Sequence, residues 1–154
     1  MNPAQVHLAL NHFPIIGLFI VLLFLAYGVF SKNTSTLRIS LWLLVFIALI
    51  TIPVFYSGEP AEEIIEETTN VSHKIIHEHE EAGELAFLVM EGLGILAIVG
   101  LFMLSRDKLS PGLQYLILGA GIITLLLMAR VGKLGGEIMH PETGIELHEE
   151  HADH

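Results

Sequence analysis

The chain has 154 residues, of which 53% are hydrophobic and only 16% are charged, and its formal net charge is −10. Ordinary soluble domains carry about 25% charged residues, so this composition indicates a membrane protein of one domain. The absence of cysteine excludes disulfides, thiolate zinc sites, iron–sulfur clusters and covalently attached c-type haem, and the negative charge argues against nucleic acid as a partner.

Four long apolar runs define the predicted architecture. They cover approximately residues 13–30, 39–56, 85–104 and 113–131. A helix needs about 20 mainly apolar residues to cross the hydrocarbon core of a bilayer. We therefore predict an all-α fold, a four-helix transmembrane bundle over residues 1–140 followed by an acidic, histidine-rich tail over residues 141–154.

Basic residues predict how the bundle is oriented in the membrane. They fall in the first and third connections, as Lys32, Arg38, Arg106 and Lys108. Because cytoplasmic loops are enriched in Lys and Arg, both connections are expected in the cytoplasm. Both termini and the second connection then lie on the periplasmic side of a bacterial inner membrane, in a multi-pass protein whose immediate partner is the lipid bilayer.

The second connection carries a helical signal of its own. Pro60 suits the first turn of a helix, and apolar residues such as Ile64 and Ile76 recur as they do in an amphipathic helix on a membrane surface. We predict that residues 60–78 are helical and cover the mouth of the bundle as a lid. A break is expected at residues 68–70, after which the second piece continues directly into the third span.

Histidines and carboxylates collect on the predicted outer side. The fourth run ends in GKLGGEIMHPE, where adjacent Gly135 and Gly136 predict an end or a kink of the helix. Glu-x-x-His places a carboxylate and an imidazole on one helix face, as in di-iron and di-manganese bundles. Mixed nitrogen and oxygen ligation suits Zn, Fe, Mn or Cu. The predicted metal ligands are His12, Glu59, His79, Glu137 and His140.

Other charged residues are expected to support such a site. Arg130 lies near the outer end of the fourth span, within reach of Glu84 or Glu91. An ion pair with one of them is expected, because charges inside a membrane normally pair. If His12 and His79 instead ligate a b-type haem, Arg130 or Lys133 would face its propionates. The carboxylates expected to surround the ligands are Glu62, Glu81, Glu84 and Glu91.

Several motifs resemble those of one protein family. The segments HLALNHFPIIG, SGEPAEE, HEEAGELA and GKLGGEIMHPE are similar to those of the DUF2231 family of bacterial four-helix membrane proteins, especially its Bacteroidetes-type members. The resemblance covers nearly the whole chain. Some relatives are joined to Rieske or cytochrome c domains, which implies electron transfer on the periplasmic side. The fourth-helix motif of many relatives contains a histidine, and this chain has Lys133 and Glu137 in that motif.

Three functions remain open from the sequence. The first is a membrane protein that binds a redox-active or transition-metal cofactor in an outer vestibule, linked to respiratory electron transfer. The second is a b-type haem subunit that passes electrons between quinone and a periplasmic carrier or other respiratory-complex subunits. The third is a non-catalytic structural subunit of a membrane complex.

Overall fold

The computed structural model describes residues 3–68 and 71–139, and these residues form helices joined by short connections. No strand occurs within these two ranges, which confirms the all-α prediction. Four of the helices are long and apolar enough to cross a membrane. The helices are α1 Pro3–Leu10, α2 His12–Phe30, α3 Thr34–Tyr56, α4 Gly58–Thr68, α5 His73–Ser105 and α6 Pro111–Met139.

Two of the spanning helices extend well beyond the apolar runs. With 33 residues in α5 and 29 in α6, these helices are roughly 50 Å and 45 Å long, compared with a hydrocarbon core of about 30 Å. The predicted continuation of the second connection into the third span is thus confirmed. The helix does not end at Gly135 and Gly136, because α6 continues to Met139.

The predicted surface helix is α4, a strongly amphipathic segment that packs against α1. It ends at Thr68, and Ser72 is the N-cap residue of α5, so the predicted lid consists of α4 and the first turns of α5. Residues 69–70 and the tail predicted for residues 141–154 lie outside the described residues.

The turn between α2 and α3 illustrates how the sequence brings two spans together. Asn33 caps α3, because its side-chain oxygen accepts a hydrogen bond from the backbone N–H of Thr36 at 3.0 Å. Lys32 adopts a left-handed conformation with φ of 52°. A β-carbon at Gly28 would lie 2.9 Å from the backbone nitrogen of Leu37, so only glycine permits this close approach.

The four long helices form a bundle in which each packs against two neighbours. Helix α2 packs against α3 and α6, and α5 packs against the same two helices, so the apolar core lies between the four. Buried hydroxyl groups bond to carbonyls of their own helix, as Thr124 does to Ala120 at 2.8 Å. Large apolar side chains cover the outside, which is the surface expected to face lipid. The most deeply buried core residues include Leu18, Leu25, Leu41, Leu44, Met90 and Leu93.

Candidate functional site

The predicted ligands that the structure describes belong to one end of the bundle, which we call the outer end. It comprises α1, α4, the first turns of α5 and the last turns of α6. The topology brings these segments together because α2 begins and α3 ends there, and because α5 and α6 are antiparallel neighbours. The connections that carry the basic residues lie at the opposite end.

His79 is held against α6 by a hydrogen bond to the backbone. Its Nδ1–H donates to the carbonyl oxygen of Val131 at 3.2 Å. A carbonyl oxygen only accepts, so Nδ1 carries the hydrogen and the lone pair of the neutral ring lies on Nε2. A β-carbon at Gly135 would be 3.3 Å from Cε1 of this imidazole. The glycine therefore gives the partly buried ring the space to lie on the helix.

His7 has the same protonation pattern, set by a different chain of hydrogen bonds. The hydroxyl of Ser57 donates to the carbonyl oxygen of Val54 at 2.7 Å. Because the single hydroxyl hydrogen is used in that bond, Ser57 Oγ accepts from Nδ1–H of His7 at 3.0 Å. The lone pair of His7 thus also lies on Nε2. The ring is partly buried beside Gly58, at the junction of α1, α3 and α4.

The two imidazoles lie near each other at the outer end. Burial lowers the pKa of both rings, and the proximity of His7 lowers the pKa of His79 further. Their Nδ1 atoms both donate into the protein, and their Nε2 atoms both remain as acceptors. Such a pair is chemically suited to bind a metal ion or to accept protons. His7 was not among the ligands predicted from the sequence, because its partner Ser57 lies 50 residues away along the chain.

The other predicted ligands have different surroundings. His12 begins α2 and is exposed, and Glu59 is exposed in the first turn of α4. Glu137 is partly buried and lies 3.6 Å from Lys133, one turn earlier. At about 100° per residue, Glu137 leaves α6 roughly 200° away from Gly135, so it is not on the face that contacts His79. His140 lies outside the described residues.

Within residues 3–68 and 71–139, no three His, Asp or Glu side chains are grouped closely enough to hold a metal ion on their own. The ligand set predicted from the sequence therefore stays a prediction. The structure supplies a histidine pair, and any further ligand has to come from water, from a rearranged carboxylate or from residues that the structure does not describe.

The surrounding charges are mostly in contact with solvent. Glu81 is exposed and lies 3.4 Å from Nε2 of His77, within the same helix. Glu62 is partly buried and has an interaction partner. Glu84 and Lys133 are exposed.

Arg130 does not form the predicted ion pair. Its side chain is exposed, and no ion pair joins it to Glu84 or Glu91 within the described part of α5 and α6. Glu91 instead has a buried carboxylate oxygen, Oε1, that makes no hydrogen bond to any described residue.

Comparison with known proteins identifies one family. The sequence profile of the family described as "Predicted membrane protein (DUF2231)" matches residues 3–145. The comparison with curated proteins finds no match, and the comparison with solved structures finds none either.

Proposed function

This chain belongs to the DUF2231 family of predicted membrane proteins, and we propose that it binds a transition-metal ion at the outer end of its bundle. The proposed nitrogen ligands are the Nε2 atoms of His7 and His79. By the positive-inside rule, the site lies on the periplasmic side. A redox-active ion such as Fe or Cu there would link the protein to electron transfer in the membrane.

The arrangement of hydrogen bonds around the two imidazoles carries this proposal. Histidines that ligate metals almost always donate their other ring N–H to a carbonyl, carboxylate or water, which fixes the tautomer and the ring orientation. His79 donates to Val131, and His7 donates to the anchored hydroxyl of Ser57. Both rings are therefore oriented before a ligand arrives, and both are partly buried, which lowers the cost of ordering them on binding.

Two imidazoles are fewer ligands than the four that Zn²⁺ usually takes. Glu59 is a candidate for a third, because it follows Gly58, which lies beside the ring of His7. His140 is another, since it follows the last described residue of α6. His12 and Glu137 remain candidates from the sequence, and a water molecule would complete an open coordination sphere.

Helix packing favours a metal ion over a haem enclosed between the spanning helices. A haem would need a flat space between them, and the glycines of α5 and α6 are the places where small residues would provide one. At the three of these glycines that are buried between helices the neighbouring side chains are already close, whereas Gly92 and Gly119 have no such atom within 4 Å. A β-carbon would lie 2.6 Å from Ala48 at Gly94, 3.0 Å from Ile117 at Gly100 and 2.5 Å from Leu22 at Gly121.

A spectroscopic titration tests the proposal. The full-length protein is purified in detergent with the three tail histidines replaced by alanine, which removes the metal-binding capacity of the tail, and Co²⁺ is added as the probe. We expect visible d–d bands typical of nitrogen ligation, and we expect His7→Ala and His79→Ala each to weaken binding strongly. The tail residues replaced are His148, His151 and His154.

The matched control is an exposed histidine of the same helix as His79. His77→Ala removes an imidazole from α5 only two residues before His79, and its ring contacts carboxylates of its own helix. We expect it to leave the Co²⁺ affinity unchanged. His12→Ala tests the ligand predicted from the sequence, and a loss as large as that of His7→Ala would identify His12 as a third nitrogen ligand. Binding that is equal in all four variants would refute the histidine-pair site.

A further inference from the structure

Glu91 places a carboxyl group inside the third span. It lies in the segment LVMEGLG of α5, six residues after Leu85, where the apolar run begins. At a rise of 1.5 Å per residue, this is about 9 Å into the span. One carboxylate oxygen is fully buried, and no described residue donates a hydrogen bond to it. The side chain as a whole is only partly buried.

The helices packed against α5 bring no cation to this depth. His79 meets Gly135 and Leu93 meets Gly121, so the two antiparallel helices are in a register that places Glu91 level with Ile123. Arg130 is then about 10 Å nearer the outer end, and Lys133 and Glu137 lie beyond it. The titratable groups of α3 are Arg38 and Tyr56. Arg38 lies near the start of this helix, at the end of the bundle opposite the outer end, and Tyr56 is its last residue, at the outer end.

A carboxylate in this position is costly in its ionised form. Transfer of an unpaired charge into hydrocarbon is strongly unfavourable, and an unpaired buried acceptor adds to the cost. The neutral acid removes the charge and gains an O–H group. The surroundings of Glu91 therefore select the protonated acid, and any loss of the proton requires a route by which it leaves.

One face of α5 offers such a route toward the outer end. Glu84 and His77 precede Glu91 by 7 and 14 residues, and residues seven apart lie on nearly the same face of an α-helix. Both are exposed. Phe87 lies between Glu84 and Glu91 along the helix and stacks on Phe55 of α3, with ring centroids 4.2 Å apart. This stacked pair is the apolar part of the face, which a proton has to pass between Glu84 and Glu91.

We propose that Glu91 is a proton-binding site inside the membrane that exchanges its proton with water at the outer end, along the face of α5 that carries Glu84. The step is a simple one: the carboxylate takes up one proton to form the acid, and no electron is transferred. The proposal is independent of metal binding by His7 and His79.

Labelling with dicyclohexylcarbodiimide tests the protonation state. This apolar reagent adds to protonated carboxyl groups and forms a stable N-acylurea, which mass spectrometry assigns to a residue. We expect the wild-type protein in membranes to be labelled at Glu91 at neutral pH, with a rate that falls as the pH is raised. Glu91→Gln removes the adduct, and the matched variant Glu84→Gln keeps it at Glu91. Absence of an adduct at Glu91 in the wild-type protein, or a rate that is independent of pH, would overturn the proposal.

Sidedness is tested in sealed vesicles of known orientation. The pH is changed on one side of the membrane with an impermeant buffer while the other side is held constant. We expect the labelling rate of Glu91 to follow the pH on the side of the outer end, and Glu84→Gln to delay that response. A rate that follows the pH on the opposite side would overturn exchange through the outer end. The pH dependence and the sidedness of Glu91 labelling are measured on the wild-type protein, so both remain informative if a substituted protein does not fold.

Discussion

Gly94 of α5 and Ala48 of α3 meet where two spanning helices pack together. A β-carbon added at Gly94 would lie 2.6 Å from the β-carbon of Ala48, whereas carbon atoms pack at about 3.5–4.0 Å. Neither atom can rotate away, because a β-carbon is fixed to its own backbone. Gly94→Ala therefore requires the helices to separate by roughly 1 Å. We expect it to lower the free energy of unfolding by about 1–3 kcal/mol, the range for overpacked cores.

Gly92→Ala is the matched control for this substitution. It adds the same methyl group to the same helix two residues earlier, where the position is exposed and no atom lies within 4 Å of the added carbon. We expect a neutral or slightly stabilising effect, because alanine is the better helix former. Ala48→Gly in the Gly94→Ala background transfers the methyl group from one helix to the other and should restore most of the lost stability.

The assay is equilibrium unfolding in mixed micelles of a mild detergent and dodecyl sulfate, followed by circular dichroism. A loss of 1 kcal/mol or more changes the unfolding equilibrium by a factor of about 5 or more, which this method resolves. If Gly94→Ala and Gly92→Ala unfold at the same detergent composition, α3 and α5 do not pack as described and the reasoning is wrong.

Three further predictions concern orientation, support of the site and pH. Replacing Ser57 by alanine removes the hydroxyl that accepts from His7 and leaves the backbone of Val54 as the acceptor for this ring. We expect metal binding to weaken by about 10-fold, the lower end of the range for groups that orient a ligand, whereas Ser72→Ala, at an exposed cap without a side-chain hydrogen bond, should have no effect. Equal affinities in the two variants would refute the role of the Ser57 hydroxyl. Burial lowers the pKa of His7 and of His79 from the usual imidazole value of about 6.5, so both rings stay neutral to lower pH. Metal binding should therefore weaken only as the pH falls below about 6.5, because a protonated ring cannot ligate; affinity that stays constant from about pH 8 to pH 4 would exclude histidine ligands. Reporter fusions test the orientation: we expect cytoplasmic signals after Lys32 and Arg106, and periplasmic signals after Glu67 and His151. The opposite pattern would place the site in the cytoplasm.

The number of spanning helices was predictable because the membrane imposes a strong rule on sequence. Each segment has to satisfy its backbone hydrogen bonds internally and present apolar side chains over a fixed thickness. The ends of the helices were less predictable. Outside the hydrocarbon core a helix can continue through polar residues, so hydropathy does not mark the residue at which it begins. Accordingly, α5 already begins at His73. The pair Gly135 and Gly136 does not end α6, and Gly135 instead leaves room where His79 packs against the helix.

The choice among the histidines could not be made from local sequence. His12 borders the first apolar run and was therefore predicted as a ligand, yet its side chain is exposed. His7 is oriented by Ser57, a residue that becomes its neighbour only when α1 packs at the ends of α3 and α4. Similarly, the Glu-x-x-His spacing relates Glu137 to His140 but does not reveal which face of α6 meets α5. Contacts between distant segments determine these properties.

The metal content of the purified protein tests the central claim most directly. The full-length chain without tail histidines and its His7→Ala, His79→Ala double variant are dialysed against the same Zn²⁺ solution and measured by elemental analysis, with a visible spectrum recorded before and after reduction. The account predicts about one bound ion per chain without the double substitution, a strong loss in the double variant, and no haem absorption, since a four-ligand zinc site needs these nitrogens. Full metal occupancy in the double variant, or a haem spectrum that depends on these histidines, would contradict it.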